Sequence, residues 1–160
     1  MNTTRLTEGG DITYHGKGQL VAYPIFDLEN FKTDLNIYLR NIEEVIIQTI
    51  GYYGIEGHRI KGLTGVWVDI EKNPRKIAAI GIRCSRWVSM HGLALNVNTD
   101  LTYFQNIIPC GITDKGVTSI QKELGREVLF EEAMQVMKQK FAEVFELEYT
   151  QEPFPIAYPV

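Results

Sequence analysis

The sequence predicts an α+β domain, with helices packed on a mixed, largely antiparallel sheet. Three strand-like segments at residues 65–70, 76–83 and 88–98 are separated by only five and four residues. Gaps this short favour antiparallel pairing, because a parallel crossover needs a dozen residues or more. Long stretches with apolar residues at three- and four-residue steps precede and follow these strands, which is typical of amphipathic helices.

The first half of the chain predicts one strand and one long helix. Residues 19–26 are rich in aromatic and β-branched residues, and Pro24 indicates an edge strand or a bend. Residues 28–53 predict a helix, which Gly54 is well placed to end. Its predicted buried stripe consists of Phe31, Leu35, Tyr38, Ile42, Val45, Ile46 and Thr49.

The second half predicts mainly loop and helix after the three strands. Residues 101–118 are expected to be mostly loop, with one helical turn near residues 103–106, and residues 119–124 predict a short helix. A longer helix is predicted at 130–147, and residues 150–160 contain three prolines and predict an extended tail. We therefore expect a single domain over 1–160, with a core at 1–149. The predicted buried side of the last helix consists of Ala133, Met134, Met137, Phe141, Val144 and Phe145.

Composition restricts the classes of function. Apolar residues make up 44% and charged residues 22%, as in ordinary globular domains, and the formal charge of -4 argues against a nucleic-acid binder. Residues 1–10 lack an apolar signal-peptide region, and no apolar run is long enough to span a bilayer, so we expect a cytoplasmic protein without a membrane partner. Cys84 and Cys110 lack metal-ligand spacing, and the three histidines are scattered, so no metal site is predicted.

Two residues are candidates for nucleophilic chemistry. Cys110 lies between Pro109 and Gly111 in a predicted turn, where a thiolate would be accessible to a substrate. The simpler interpretation is a small buried residue in a connecting loop, and that is also our interpretation of Cys84. Lys76 opens a strand in which the two-residue period places it on one face with Ala78, Ile80 and Ile82. It is either a partly dehydrated amine near a site or a residue that points to water at the strand end.

Two glycine-containing segments are candidates for binding. His15 lies within residues 9–18, a segment that holds four glycines in ten residues and indicates backbone close to a ligand or a tight hairpin. The terminal Gly-Lys-Ser/Thr of a phosphate-binding loop is absent from it. After His91, the residues Gly92, Ala94 and Asn96 form one small, partly polar strand face. That face either accommodates an acyl chain or packs under a helix.

Together these segments resemble the octanoyl/lipoyl protein transferases. The family's glycine-rich motif RGG-x-x-TYHGPGQ is similar to residues 8–19 here. Segments similar to the family's later motifs follow in the same order at residues 64–68, 75–83, 91–98 and 109–111, so the resemblance covers residues 9–124. It implies the fold of the biotin and lipoate ligase catalytic domain, in agreement with the α+β prediction.

The resemblance implies an acyltransferase that moves an octanoyl group from octanoyl-acyl carrier protein to a lysine of a lipoyl domain. The implied acceptors are lipoyl domains of 2-oxoacid dehydrogenases and the glycine cleavage H protein. Cys110 would form the acyl thioester, and Lys76 would promote its ionisation and handle protons. No cofactor is implied, because the donor is already a thioester. The implied acyl site consists of Glu8, Gly9, Gly10, Asp11, Ile12, Thr13, Tyr14, His15, Ala79, Ile80, Gly81, Gly92, Leu93 and Ala94, with His91 as a supporting candidate.

The chain departs from the family pattern in three places. Glu8 stands where the family has Arg, Lys17 stands where it has Pro, and the chain starts almost at the glycine-rich motif, where family members have a preceding segment with strands and a helix. We expect that the chain is a fragment, that another polypeptide supplies this part, or that the protein has lost activity. The missing strands would leave a sheet edge exposed, which predicts self-association. Two alternatives are therefore kept: a non-catalytic binder of lipoyl domains or acyl groups, and an ATP-dependent lipoate or biotin ligase.

Overall fold

The structure, a computed structural model, describes residues 15–106 and 116–150. In this part of the chain the strands are β1 (Gln19–Ala22), β2 (His58–Ile60), β3 (Leu63–Val68), β4 (Arg75–Ser85), β5 (Val88–Asn96) and β6 (Gly116–Val117). Five of them form an antiparallel sheet in the order β1-β5-β4-β3-β2, and β6 pairs parallel with the start of β4. The predicted fold class is confirmed.

Within residues 15–106 and 116–150, three α-helices accompany the sheet: α1 (Leu35–Gly51), α2 (Ile120–Leu124) and α3 (Phe130–Phe145). Short 3-10 helices form at Leu28–Asn30 and Leu101–Asn106. Helix α1 packs on α3 and on the central strands β3 and β4. Within the described ranges, none of the helices combines the length and the apolar character needed to cross a membrane.

The first long helix begins later than predicted. The Asp34 carboxylate accepts hydrogen bonds from the backbone N–H groups of Asn36 and Ile37, at 2.8 and 3.2 Å, and so caps the start of α1. The predicted start at residue 28 is wrong, and Phe31 lies before the helix with 41% of its surface exposed. The apolar period that predicted the helix includes Leu28 to Asn30, which form only a 3-10 turn. The Asp34 side chain sets the start of the α-helix.

The strands also differ from the prediction at their ends. Strand β1 stops at Ala22, two residues before Pro24, which has no N–H to donate to a ladder. Strand β4 is longer than predicted and runs to Ser85. The short strands β2 and β6 were not predicted, because segments of three and two residues carry no readable period.

The core lies between one face of the sheet and helices α1 and α3. Val66, Ala78, Ile80, Leu93 and Leu95 contribute from the sheet to the same buried cluster as the helices. The helix residues in this cluster include most of the two predicted stripes, namely Tyr38, Ile42, Val45, Ile46, Ala133, Met137, Phe141 and Phe145. Met134 was predicted to be buried but is 40% exposed. The opposite face of the sheet carries a second set of side chains, among which Trp67, Ala94 and Asn96 are also buried.

Candidate active site

An irregularity in the pairing of β3 with β4 decides which way Lys76 faces. Val66 pairs with Ala78 and Trp67 pairs with Lys76, so Ile77 is an extra residue in β4. Such a β-bulge shifts the alternation of side chains on the bulged strand. Lys76 consequently shares a face with Trp67, and the prediction that it shares a face with Ala78, Ile80 and Ile82 is wrong.

The amine of Lys76 lies over an aromatic ring. Its Nζ atom is 4.8 Å from the centre of the Trp67 ring, a cation–π arrangement that favours a positive charge at this position. Gly65 lies beside the lysine stem, and its φ of +109° and a Cβ position only 2.5 Å from the Ala78 carbonyl oxygen exclude a side chain there. Within the described residues, the buried Nε1 of Trp67 has no hydrogen-bond partner.

The two tripeptides of the predicted acyl site lie side by side. Ala79 pairs with Ala94, Ile80 with Leu93, and Gly81 with Gly92, so β4 and β5 bring all six residues together. Directly paired residues share a face of the sheet. The side chains of Ile80 and Leu93 belong to the helix-covered core, whereas Ala79 and Ala94 lie on the opposite face, which is also the face of Trp67 and Lys76.

Strand β1 extends this second face. Val21 pairs with Ala94, which pairs with Ala79, so three apolar side chains form a row across β1, β5 and β4. The next row consists of Gln19 and Asn96, also a direct pair. An apolar row with a polar row beside it, close to a lysine, is suited to an acyl chain with its reactive carbonyl at the polar end.

The remaining predicted residues of β4 and β5 differ in their surroundings. Gly81 is exposed and a Cβ added there would meet nothing within 4 Å, whereas Gly92 is buried and its Cβ would lie 2.0 Å from the Ala22 carbonyl oxygen. Gly92 thus allows β1 to approach closely. His91 is exposed and adopts a left-handed φ of 62°, opposite Ile82. Its supporting role remains a prediction.

The chain that follows residues 107–115 is anchored next to Lys76. Gly116 and Val117 in β6 pair with Arg75 and Lys76, and the Thr118 N–H donates to the Lys76 carbonyl at 3.0 Å. The Arg75 guanidinium donates to both carboxylate oxygens of Glu123, each at 3.0 Å, and so fixes α2 to β4. The backbone at Lys76 is therefore fixed by residues 116–118, and its neighbour Arg75 is fixed by Glu123; both contacts form only in the folded chain.

The pKa of Glu123 reflects this anchor. Burial by itself would raise it, but hydrogen bonds from Arg75 and from the Thr118 hydroxyl, together with the positive charge of Arg75, lower it below its usual range.

Cys84 shows the opposite case, since burial raises the pKa of its thiol and a backbone hydrogen bond at Trp87 only partly opposes this. Cys84 packs against the core, as predicted.

The described part of the glycine-rich segment begins at His15. The His15 Nδ1 atom lies 2.9 Å from the Gln19 Oε1 atom, so this end of the segment is tied to β1. Glu8, Gly9, Gly10, Asp11, Ile12, Thr13 and Tyr14, like Cys110, lie outside the described residues, and their predicted roles remain predictions. Among the residues described, His, Cys, Asp and Glu side chains form no cluster of three that could hold a metal ion.

No role was predicted for several residues around Lys76. Trp67 stood in a quoted motif, but its contact with Lys76 depends on the bulge. Gln19 and Asn96 also stood in quoted motifs, and their direct pairing depends on the register of β1 with β5. A pairing of strands distant in sequence leaves no local signal.

The fold and the lysine-bearing sheet face define a class: an α+β domain in which an apolar row of side chains shares a sheet face with an amine. The chain belongs to the family described as "Lipoyl protein ligase A/B catalytic domain", which matches residues 1–142. This confirms the resemblance seen in the sequence.

Proteins named octanoyltransferase are similar to the chain. The one from Cytophaga hutchinsonii is 56% identical over 145 residues, covering 89% of this chain and 59% of that protein. The one from Flavobacterium johnsoniae is 59% identical over 129 residues, covering 80% and 56%. The chain thus spans a little over half the length of these two relatives.

Solved structures of low identity show the same fold. The bipartite lipoate protein ligase of Thermoplasma acidophilum has a TM-score of 0.70 and 18% identity, covering 96% of this chain and 61% of that one. The biotin protein ligase of Aquifex aeolicus has a TM-score of 0.60 and 17% identity, covering 81% and 53%. At these identities the likeness concerns the fold alone.

Proposed function

We propose that this protein transfers an octanoyl group from octanoyl-acyl carrier protein to a lysine amine of lipoyl domains, through a thioester on Cys110. The observation that carries the proposal is the position of Lys76. The bulge at Ile77 turns it onto the face that carries the apolar row of Val21, Ala94 and Ala79. The 51–59% identity to proteins named octanoyltransferase supports the same activity.

The chain connectivity supports a meeting of Cys110 with Lys76. Cys110 is followed six residues later by Gly116, and Gly116 pairs with Arg75, the neighbour of Lys76. Six residues reach at most about 21 Å, so Cys110 is tethered to the neighbourhood of Lys76. A positively charged amine stabilises a thiolate over a thiol, which is the form that attacks a carbonyl.

The proposed reaction has two acyl transfers. In the first, the Cys110 thiolate attacks the thioester carbonyl, and the carrier leaves as its thiolate and takes up a proton. In the second, the neutral lysine amine of the lipoyl domain attacks the acyl-enzyme, the carbon–sulfur bond breaks, and the nitrogen loses a proton as the Cys110 thiolate returns. Lys76 balances the negative charge on the Cys110 sulfur before the first transfer and again when the thiolate returns in the second. Such a scheme predicts ping-pong kinetics.

Mass spectrometry of the whole protein tests the proposal. After incubation with octanoyl-acyl carrier protein, we expect one octanoyl adduct, located on Cys110, which a lipoyl domain then removes. Cys110→Ala should carry no adduct, whereas the control Cys84→Ala should be acylated like the original protein, because Cys84 packs against the core. An unmodified Cys110 in the original protein would contradict the proposal.

The same experiment distinguishes the two alternatives. A binder without catalytic activity would bind lipoyl domains equally well before and after the Cys110→Ala change, and it would never carry the adduct. The departures Glu8 and Lys17 motivate this alternative. A ligase would transfer the acyl group only when ATP is supplied. The expected cytoplasmic location and self-association through a sheet edge remain predictions, and fractionation and light scattering would test them.

A further inference from the structure

Four residues form a continuous chain of hydrogen bonds beneath the proposed acyl site. His15 Nδ1 lies 2.9 Å from Gln19 Oε1, Gln19 Nε2 donates to Asn96 Oδ1 at 3.0 Å, and Asn96 Nδ2 donates to the Thr118 carbonyl at 3.0 Å. We call these residues the amide relay. It crosses from the end of the glycine-rich segment through β1 and β5 to the segment that follows β6.

The far end of the relay is fixed. A backbone carbonyl accepts hydrogen bonds and never donates them, so the Thr118 oxygen requires the NH2 group of Asn96. Thr118 itself cannot shift freely, because its N–H donates to the Lys76 carbonyl and its hydroxyl donates to the Glu123 carboxylate. Both Asn96 and Thr118 are buried, with 4% and 0% of their surfaces exposed. Water therefore does not offer Asn96 an alternative orientation.

The orientation of each amide then determines the next. With its NH2 group on Thr118, Asn96 presents its oxygen to Gln19, which must donate with its own NH2 group. Gln19 consequently presents its oxygen to His15, so the His15 Nδ1 atom must carry the proton. A neutral imidazole has one proton, which leaves Nε2 as an acceptor. This result rests on the Thr118 carbonyl and requires no assumption about the orientation of either amide.

We propose that the amide relay holds His15 as the Nδ1-protonated tautomer, so that its Nε2 atom accepts a hydrogen bond from an N–H group of the substrate. This inference rests on the proposed function, in which the donor is the amine of the lipoyl-domain lysine. A hydrogen bond from this amine to Nε2 orients the nitrogen as it approaches the acyl-enzyme. His15 is exposed and thus accessible to a macromolecular acceptor. Gln19 and Asn96 are positioning residues, since they act only through His15.

The relay lies on the correct face for this role. Asn96 follows Ala94 by two residues on β5, and Gln19 precedes Val21 by two on β1, so both amides share a face with the apolar row. In metal sites, removing a partner that orients a histidine typically lowers metal affinity or activity by about 10- to 100-fold. We expect a loss of this order in the second acyl transfer and little change in the first.

The first test reads the tautomer directly by nitrogen NMR of the imidazole rings. There are three histidines in the sequence, and a His15→Gln variant assigns the signal of His15. We expect Nδ1 to be protonated in the original protein and the Nε2-protonated form to gain population in Asn96→Ala. That variant removes no atom that contacts His15, so a change in tautomer can only travel through Gln19.

Asn98→Ala is the matched control. The Asn98 amide also makes two backbone hydrogen bonds, donating to the Val128 carbonyl at 2.8 Å and accepting from the Val128 N–H at 3.2 Å. It lies two residues from Asn96 but is no part of the relay. We expect Asn98→Ala to lose stability without changing the tautomer of His15 or the rate of either acyl transfer.

The second test separates the two half-reactions. Rapid mixing of octanoylated enzyme with lipoyl domain measures the second transfer alone, and we expect it to slow in both Asn96→Ala and Gln19→Met. Gln19→Met keeps the proposal testable if Asn96→Ala does not fold. An Nε2-protonated His15 in the original protein, or an unchanged tautomer and rate in both variants, would overturn the inference. If Cys110 is never acylated, the proposed function fails, while the NMR result still decides the tautomer.

Discussion

Gly81 and Gly92 lie directly opposite each other in the pairing of β4 with β5, yet they meet different surroundings. A Cβ added at Gly92 would lie 2.0 Å from the Ala22 carbonyl oxygen and 2.7 Å from the Pro24 Cδ atom. The first contact involves backbone, which cannot rotate away. A Cβ added at Gly81 would meet no atom within 4 Å.

Replacing each glycine by alanine should therefore give opposite results. For Gly92→Ala we expect a loss of about 2–3 kcal/mol in the free energy of unfolding, as in overpacked cores. In a chain of this size this corresponds to a fall of about 4–12 °C in melting temperature. For Gly81→Ala we expect a change within about 1 kcal/mol, because the methyl group enters open space and alanine loses less backbone entropy than glycine.

Thermal unfolding and hydrogen exchange measure both variants. In Gly92→Ala, faster exchange should be concentrated in β1, the strand that the new methyl group displaces. In Gly81→Ala, the fold stays intact while the methyl group narrows the proposed acyl slot, so transfer of octanoyl should fall relative to transfer of a shorter acyl group. Equal stability of the two variants would refute the packing argument, and an unchanged chain-length preference would refute the position of the slot.

Three further predictions concern charged residues. Lys76→Met should slow formation of the acyl-enzyme by about 10²- to 10⁴-fold, measured by mass spectrometry over time, because the thiolate loses its counter-charge. Glu43→Ala should cost about 1–3 kcal/mol in urea unfolding, because the fully buried carboxylate accepts a hydrogen bond from the buried Gly65 N–H and pairs with Arg40 and Arg59. Glu123→Gln should lower the melting temperature at pH 7 and lose this effect in acid. The folded-state pKa of Glu123 is below the ordinary 4.5, so its stabilisation is present above pH 4.5 and disappears as the pH falls through the lower folded-state value.

Controls accompany these predictions. Glu44→Ala removes a neighbouring carboxylate whose side chain is 38% exposed, and we expect a cost within about 1 kcal/mol. If Glu43→Ala costs no more than Glu44→Ala, the buried pairing contributes little. The Lys76→Met variant should retain its melting temperature, since a loss of folding would explain the slower reaction equally well. A destabilisation by Glu123→Gln that stays constant from pH 7 to pH 3 would contradict the assigned ionisation.

Much of the fold could be predicted from local patterns. The stripe on α1 from Tyr38 to Ile46 and the short gaps between the central strands are properties of neighbouring residues, and both predictions are confirmed. The helix start was wrong because Asp34, a capping residue, was overlooked within an apolar period. Strand β2 was missed because three residues acquire a strand conformation only through their partner β3.

The sequence by itself determined the fold class, through residue types at short spacing, and the family, through the order of its motifs. That the two tripeptides line an acyl site remains a prediction from the resemblance. Only the tertiary structure decided the direction of Lys76 and the connection of His15 to Thr118. Strand alternation predicted that Lys76 shares a face with Ala78, Ile80 and Ile82, and the bulge at Ile77 places it on the opposite face. The bulge depends on the register between β3 and β4, and the relay depends on the register between β1 and β5. Register is set by packing of the whole sheet.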